Sequence, residues 1–150
     1  MGNRKRKVLV LCTGNSARSI MAEFLINHHL GDRWQAFSAG VEPSSPNRYA
    51  IGVLKELGIS ADMARSKSVA EFLQRDDLDL VITVCDHAKE NCPVFPKPIP
   101  QIHIGIDDPA LYSDKPDDIV ISIFRQTVNL INEKIILYLS ESKNLFGDKK

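Results

Sequence analysis

The chain has 150 residues and no net charge at pH 7, with 43% hydrophobic and 25% charged residues. This length suits a single domain, 1–150, and is too short for two ordinary domains. The balanced charge argues against a basic surface for nucleic acid or anionic lipid. No apolar run is long enough for a signal-peptide core or a membrane span, so we expect a cytoplasmic protein with reduced thiols.

Apolar runs alternate with helical periodicity along the whole chain. The predicted elements, in order, are a strand at 7–11, a helix at 16–30, a strand at 34–38, a helix at 47–57, a short helix at 68–75, a strand at 78–84, a short helix or loop at 85–91, a strand at 101–106 and a long helix from 117 to about 138. This alternation is typical of βαβ units, so the fold class is α/β, a parallel sheet with helices on both faces. The segments 1–6 and 141–150 are polar and are expected to fray.

A short loop between the first strand and the first helix carries the strongest functional signal. Its residues are Cys12, Thr13, Gly14, Asn15, Ser16, Ala17, Arg18 and Ser19. Such a loop directs successive backbone N–H groups toward one point, where the helix N-terminus adds partial positive charge. A tetrahedral oxyanion fits there, and Arg18 can hold two of its oxygens. The same field favours the thiolate of Cys12, so the loop predicts a nucleophile beneath a bound oxyanion.

A simpler interpretation is a buried cysteine at a strand end and an arginine on a solvated helix face. The oxyanion site is favoured because the strand, the Gly14-Asn15 turn and the serines at the helix start all agree with it.

Cys85 and Cys92 lie seven positions apart and could be core residues, metal ligands or a redox pair. Zinc sites usually have cysteine pairs two to four residues apart. A zinc site formed by Cys85 and Cys92 together with His87 and His103 is therefore disfavoured, and no metal or cofactor is expected. A helical segment would hold the two cysteines about 10 Å apart. A disulfide between them therefore requires the segment to unwind, which suits a switchable bond.

Asp107 and Asp108 follow the last predicted strand, and Pro109 comes next. Ligands of parallel sheets bind beyond the carboxyl ends of the strands, where Cys12 and Cys85 also lie. A carboxylate there could protonate a leaving oxygen, but an aspartate before proline is also common in turns. Both interpretations stay open at this point.

The chain resembles the low-molecular-weight phosphatase fold group and, within it, the thioredoxin-coupled arsenate reductases. The resemblance covers nearly the whole chain and implies a four-stranded parallel sheet. The loop marks the fold group, whereas the Cys85/Cys92 pair selects the reductases. The matching residues are Cys12 to Ser19 with Met21-Ala22-Glu23, Ser38-Ala39-Gly40, Val84-Cys85, Cys92-Pro93 and Asp108-Pro109.

The resemblance implies a three-cysteine relay in which Cys12 attacks arsenate while Asp108 protonates the departing oxygen. Cys85 then forms a Cys12–Cys85 disulfide and releases arsenite, and Cys92 converts it to a Cys85–Cys92 disulfide that thioredoxin reduces. By the same analogy the loop residues and Arg18 bind the oxyanion, Ser19 hydrogen-bonds Cys12, and phosphate or sulfate compete. A monomer is expected, and glutaredoxin or a low-molecular-weight thiol is the alternative reductant.

Two positions depart from the family pattern. Ala17 stands where relatives often carry another cysteine that is not one of the relay three. Some reductases bind potassium through residues that match Asn15, Glu23 and Ser38 and a downstream aspartate, but Lys67 occupies the aspartate position here. We expect the Lys67 ammonium group to pair with Glu23 in place of the ion.

The main rival is a phosphatase for phosphotyrosine or a small phosphoester, because Cys12, Arg18 and Asp108 would serve that reaction equally well. A phosphotyrosine enzyme needs aromatic walls, and residues 41–47 supply none. Tyr112 lies four positions beyond Asp108 rather than next to the Asp-Pro pair. Weak phosphatase side activity is expected, since phosphate and arsenate are nearly isosteric. A noncatalytic oxyanion-binding domain is a third, less favoured alternative.

Overall fold

The computed structural model describes residues 4–141, so most of the two segments expected to fray lies outside the described residues. Four strands and five α-helices follow one another in this range. They are β1 (Arg6–Cys12), α1 (Arg18–Leu30), β2 (Trp34–Gly40), α2 (Arg48–Glu56), β3 (Leu80–Thr83), α3 (Asp86–Glu90), β4 (Gln101–His103), α4 (Asp117–Ile131) and α5 (Leu137–Ser140). Two 3-10 turns, at Val69–Phe72 and Pro109–Tyr112, lie between them.

The four strands form one parallel sheet in the order β2-β1-β3-β4. β1 is central, and Val8 to Leu11 are fully buried because both faces of the sheet are covered. One core cluster packs α1, α2 and α4 against one face, and a smaller cluster with Phe72 and Ala88 covers the other. The α/β class, the parallel sheet and the helices on both faces are thus confirmed.

Asp79, the one charge in the third apolar run, connects the starts of the two central strands, β1 and β3. Its carboxylate accepts a hydrogen bond from the Lys7 backbone N–H at 2.8 Å and pairs with Arg4 at 3.1 Å. Its own N–H donates to the Lys7 carbonyl at 2.8 Å. The side chain therefore fixes the start of β1 relative to β3, and β3 begins one residue later at Leu80.

Several predicted boundaries are wrong by a few residues. The fourth strand is predicted at 101–106 but ends at His103, whose pairing with Thr83 is the last in the β3–β4 register. Beyond it, the N–H groups of Ile104 and Ile106 still donate to Thr83 O and Val84 O. The predicted helix at 68–75 is a 3-10 turn over Val69–Phe72, which Ser68 caps through the N–H of Ala70. The long C-terminal helix contains a π turn, Asn132–Ile136, between α4 and α5.

Two helix starts follow from local chemistry. Asn47 caps α2 by accepting hydrogen bonds from the N–H groups of Tyr49 and Ala50. Asp117 and Asp118 lie in the first turn of α4, where negative charge is favourable. No helix within residues 4–141 is both long and apolar enough to cross a membrane.

Candidate active site

The loop between β1 and α1 is held from outside by its carbonyl groups. Five successive carbonyls each accept a hydrogen bond from another segment, at 2.6–3.2 Å. The donors are Val41 N to Cys12 O, Glu42 N to Thr13 O, Ser44 N to Gly14 O, Ser66 Oγ to Asn15 O and Asn47 N to Ser16 O. Because the carbonyls face outward, the N–H groups are free to converge on the inner side, as an oxyanion cradle requires.

Asn15 is the turning point of the loop and is fully buried. It has a φ of 48°, a left-handed conformation that asparagine tolerates better than most residues. Its side-chain oxygen accepts from the Lys67 N–H at 2.8 Å, and its Nδ2 donates to Ser19 Oγ at 2.7 Å. These contacts with Lys67 and Ser19 hold the strained residue in place.

Cys12 ends β1 beneath the loop, and its side chain is buried. Its Sγ accepts from the Asn15 N–H at 3.2 Å and lies 2.8 Å from Ser19 Oγ. Because Asn15 Nδ2 already donates to the Ser19 oxygen, the hydroxyl proton of Ser19 is available to the sulfur. Two donors therefore point at Cys12 Sγ, an arrangement that suits a thiolate.

Gly40, at the end of β2, lies directly against the loop. A Cβ at this position would stand 2.5 Å from Thr13 O and 2.8 Å from Asn15 N, which are backbone atoms that cannot turn away. The loop geometry therefore depends on the absence of a side chain at Gly40.

We predict that Gly40→Ala displaces the loop and weakens phosphate binding by at least about 100-fold, since the inward N–H donors lose their alignment. Calorimetric titration with inorganic phosphate measures this effect, and circular dichroism shows whether the variant is folded. Gly52→Ala is the matched control, because nothing lies within 4 Å of that Cβ. Gly52 is exposed in α2, so its replacement should add about 0.5–1 kcal/mol of stability and leave binding intact. Unchanged phosphate affinity in a folded Gly40→Ala protein would contradict the prediction.

Arg18 is the first residue of α1, and its side chain turns toward the carboxyl ends of the strands. Nη1 donates to the Ile106 carbonyl at 3.0 Å, and Nη2 lies 3.6 Å from Asp108 Oδ2. Asp108 Oδ1 caps the turn at Pro109–Tyr112 by accepting from the Ala110 N–H at 2.9 Å. Asp108 is thus a turn residue whose carboxylate also lies beside Arg18, and its role as a general acid stays a prediction.

Cys85 reaches the same site from the end of β3. Its Sγ lies 3.3 Å from Thr13 Oγ1, and its side chain is partly exposed. A second thiol therefore borders the oxyanion loop, although 72 residues separate Thr13 from Cys85 along the chain.

Cys92 lies beyond α3, and all three thiols are free in this structure. Its Sγ faces the Pro93 carbonyl at 3.7 Å, and it packs against the smaller core cluster. Burial raises the pKa of the Cys92 thiol above its ordinary value. The group is therefore protonated at neutral pH while α3 is formed.

We predict that alkylation of Cys92 by iodoacetamide follows pH with a midpoint above that of a free cysteine, near pH 8.5. Raising the pH through this midpoint increases the thiolate fraction, so the reaction accelerates with alkalinity and is slow at pH 7. Peptide mass spectrometry gives the rate at Cys92 alone. The urea-unfolded chain is the control, in which the midpoint should return to the ordinary value. A midpoint in the folded protein at or below that of the unfolded chain contradicts the prediction.

A charged cluster adjoins the loop through Lys67, whose N–H donates to Asn15 Oδ1. Lys67 Nζ is 3.6 Å from Glu23 Oε1, and the two side chains are only 13% and 18% exposed. Ser38 Oγ donates to the same carboxylate oxygen, and Lys67 Nζ also donates to the Arg65 carbonyl at 3.1 Å. A potassium ion does not fit this set of residues, because an ammonium group already lies against Glu23.

Comparison with known proteins places this geometry in a family. The family model described as low molecular weight phosphotyrosine protein phosphatase matches residues 7–146. The chain belongs to this family. An arsenate reductase of Halalkalibacterium halodurans is 37% identical over 140 residues, which cover 93% of this chain and 99% of that protein. The family resemblance predicted from the loop and the Cys85/Cys92 pair is thereby confirmed.

Solved structures agree with this assignment. An arsenate reductase in the phosphate binding state superposes with a TM-score of 0.68 at 26% identity and covers 91% of this chain and 98% of its own. A low molecular weight protein tyrosine phosphatase from T. tengcongensis has a TM-score of 0.65 at 28% identity, with 86% and 97% covered. The fold is thus shared by reductases and phosphatases, and only the site of this chain can distinguish the two activities.

The structure brings most of the sequence-predicted site residues to one edge of the sheet. Cys12, Arg18, Cys85 and Asp108 lie around the loop, whereas Cys92 lies beyond α3 and packs against the smaller core cluster. The close packing of Gly40 against the loop and the hydrogen bond from Ser66 to Asn15 O were not predicted from the sequence. No local signal marks Ser66, because its partner Asn15 is 51 residues away.

Proposed function

We propose that this chain reduces arsenate to arsenite through Cys12, Cys85 and Cys92, with thioredoxin as the reductant. The observation that carries the proposal is the 3.3 Å contact between Cys85 Sγ and Thr13 Oγ1, which holds a second thiol at the rim of an oxyanion loop. Hydrolysis of a phosphoester needs water as the second nucleophile and gains nothing from a thiol there. Reduction by two electrons needs two thiols.

In the first step the Cys12 thiolate attacks arsenic, and an oxygen leaves as water. The inward N–H groups and Arg18 hold the oxyanion, and Asp108, whose Oδ2 lies 3.6 Å from Arg18 Nη2, protonates the leaving oxygen. The product is a Cys12–arsenic(V) adduct, and no electron has yet been transferred.

In the second step the Cys85 thiolate attacks Cys12 Sγ. The sulfur–arsenic bond breaks, and its electron pair stays on arsenic, so As(V) becomes As(III) and arsenite leaves. The two sulfurs are oxidised together to the Cys12–Cys85 disulfide. Thr13, which contacts Cys85, directs that sulfur toward the loop.

In the third step the Cys92 thiolate attacks Cys85 Sγ, which forms the Cys85–Cys92 disulfide and releases Cys12 as a thiolate. This exchange carries the oxidation away from the buried Cys12 to two partly exposed cysteines. A thioredoxin dithiol then reduces that disulfide and becomes oxidised itself. We propose that the chain acts as a monomer, since the relay uses cysteines of one chain only. We also propose that it is cytoplasmic, where thiols are kept reduced.

The proposal is tested in a single turnover without any reductant. Reduced protein mixed with excess arsenate should yield one arsenite per chain and lose two of its three thiols. Thiol titration and arsenic speciation measure both quantities. A phosphatase would keep all three thiols and hydrolyse p-nitrophenyl phosphate rapidly, whereas the proposed reductase has only weak activity of that kind. An oxyanion-binding domain would bind arsenate and do neither.

We also propose that the Lys67 ammonium group holds Glu23 and Ser38 behind the loop, where some reductases bind potassium. Lys67 acts on the loop through its backbone N–H, which donates to Asn15 Oδ1 at 2.8 Å. Asn15 in turn donates to Ser19, which faces Cys12.

The expected result is that replacing potassium by sodium leaves arsenate turnover unchanged, because the positive charge is built into the chain. Lys67→Met should lower turnover, since Glu23 loses its partner in a mostly buried place. Lys55→Met, an exposed position on α2, is the control and should have no effect. Activation of the native protein by potassium would disprove the role of Lys67.

A further inference from the structure

The helix between the two relay cysteines, α3, is short and weakly buried. It spans five residues, Asp86–Glu90, of which only Ala88 is buried. Its backbone is closed by the Lys89 N–H donating to Cys85 O at 3.1 Å and the Asn91 N–H donating to His87 O at 3.0 Å. So short a helix has little stability of its own. Contacts with the rest of the protein must therefore decide how readily it unwinds.

The first such contact joins α3 to β4 through an imidazole. His103 Nε2 lies 3.4 Å from Asp86 Oδ1, and His103 Nδ1 lies 2.9 Å from the hydroxyl of the buried Thr83. In the Nε2–H tautomer the ring accepts from Thr83 and donates toward Asp86, so both nitrogens are used. Thr83 thereby fixes the ring that faces the first residue of α3.

The second contact joins α3 to the segment after β2. His87 Nε2 lies 3.2 Å from Glu42 Oε2, and His87 Nδ1 faces Asn91 Nδ2 at 3.5 Å. The Glu42 N–H donates to Thr13 O, so the same residue also holds the oxyanion loop. The His87–Glu42 pair therefore connects α3 directly to the site.

We propose that these two imidazole–carboxylate pairs, His103–Asp86 and His87–Glu42, latch the Cys85–Cys92 segment in its helical form and so act as positioning residues for the relay. The proposal rests on the proposed function, in which Cys92 must reach Cys85. Asp86 and His87 both belong to α3, so unwinding that lets Cys92 approach pulls on both pairs. The latch holds Cys85 beside Thr13 until the Cys12–Cys85 disulfide has formed.

The latch has a thermodynamic consequence for the Cys85–Cys92 disulfide. Because the pairs form in the helical dithiol state, they favour that state and raise the reduction potential of the disulfide. Exposed imidazole–carboxylate contacts of this kind change an equilibrium by about twofold each, hence about fourfold together. A fourfold change corresponds to a potential about 18 mV lower when both pairs are removed.

The test uses the full chain with Glu42→Ala and His103→Ala combined, which removes both pairs and leaves the residues of α3 itself unaltered. Hydrogen exchange of the Lys89 and Asn91 amides is measured in the reduced protein, without arsenate, and should be about fourfold faster than in the native chain. Glu90→Gln, an exposed position on the same helix, is the control and should leave exchange unchanged.

The potential is measured separately in a Cys12→Ser background, where equilibration with dithiothreitol buffers reports only Cys85 and Cys92. The double variant should shift it downward by about 18 mV. Equal exchange rates in the double variant, the Glu90→Gln control and the native chain would overturn the latch, even if arsenate is reduced. Conversely, faster exchange with no arsenate reduction would retain the latch and reject the proposed function.

Discussion

Cys92→Ser should complete one turnover and then stop. Cys12 and Cys85 suffice to reduce one arsenate, because the two sulfurs border the same loop and supply both electrons. Without Cys92 the Cys12–Cys85 disulfide stays within the site, where a protein reductant cannot reach the buried Cys12. We expect one arsenite per chain, followed by thioredoxin-coupled turnover at background level. Quenched-flow arsenic speciation and mass spectrometry of the trapped disulfide measure this.

The matched control for this experiment is Cys85→Ser, which should release no arsenite and retain one free thiol, Cys92, beside an arsenylated Cys12. The pair of variants thus separates the two sulfur transfers. Continued cycling of Cys92→Ser at the native rate would contradict the protein-internal relay. Such cycling with glutathione and glutaredoxin would indicate that a small thiol attacks the adduct directly.

Arg18→Lys should lower kcat by about 10²–10³, even though it preserves the charge. The guanidinium donates to the Ile106 carbonyl at 3.0 Å, lies 3.6 Å from Asp108 and still has N–H groups to direct at an oxyanion. A lysine ammonium group cannot form this fork, and loss of one aligned donor to a developing charge has an effect of this size. Steady-state kinetics with arsenate measures it.

Arg125→Lys is the surface control, since Arg125 pairs with Glu56 away from the site at 2.8 Å. That exposed pair contributes little, so both kcat and KM should remain at the native values. If Arg18→Lys kept more than half of the native kcat, the guanidinium fork would have no role in the chemistry.

The extent to which the sequence predicts the site depends on the range of each interaction. Cys12, Asn15, Arg18 and Ser19 belong to one strand–loop–helix unit, so their mutual arrangement follows from local geometry. Cys85 and Asp108 are distant in sequence, but the rule that ligands bind at the carboxyl ends of parallel strands places them at the same edge.

Contacts between segments that are distant in sequence could not be predicted from local patterns. The outward hydrogen bonds of the loop carbonyls come from segments at 41–47 and 66, whose paths depend on how the connections pack. The contact between His87 and Glu42 joins two exposed side chains that are 45 residues apart, so no periodicity or motif in the sequence predicts it. The end of β4 was also misjudged, because regular pairing with β3 ends at His103, although backbone hydrogen bonds from Ile104 and Ile106 continue to Thr83 and Val84.

A coupled assay shows whether Cys85 makes this family member a reductase. NADPH oxidation is followed with thioredoxin, thioredoxin reductase and arsenate, for the native chain and for Cys85→Ser. We predict sustained arsenate-dependent oxidation in the native chain and none in Cys85→Ser. No arsenate-dependent oxidation in the native chain, together with rapid aryl phosphate hydrolysis that is indifferent to Cys85, would contradict it and identify a phosphatase.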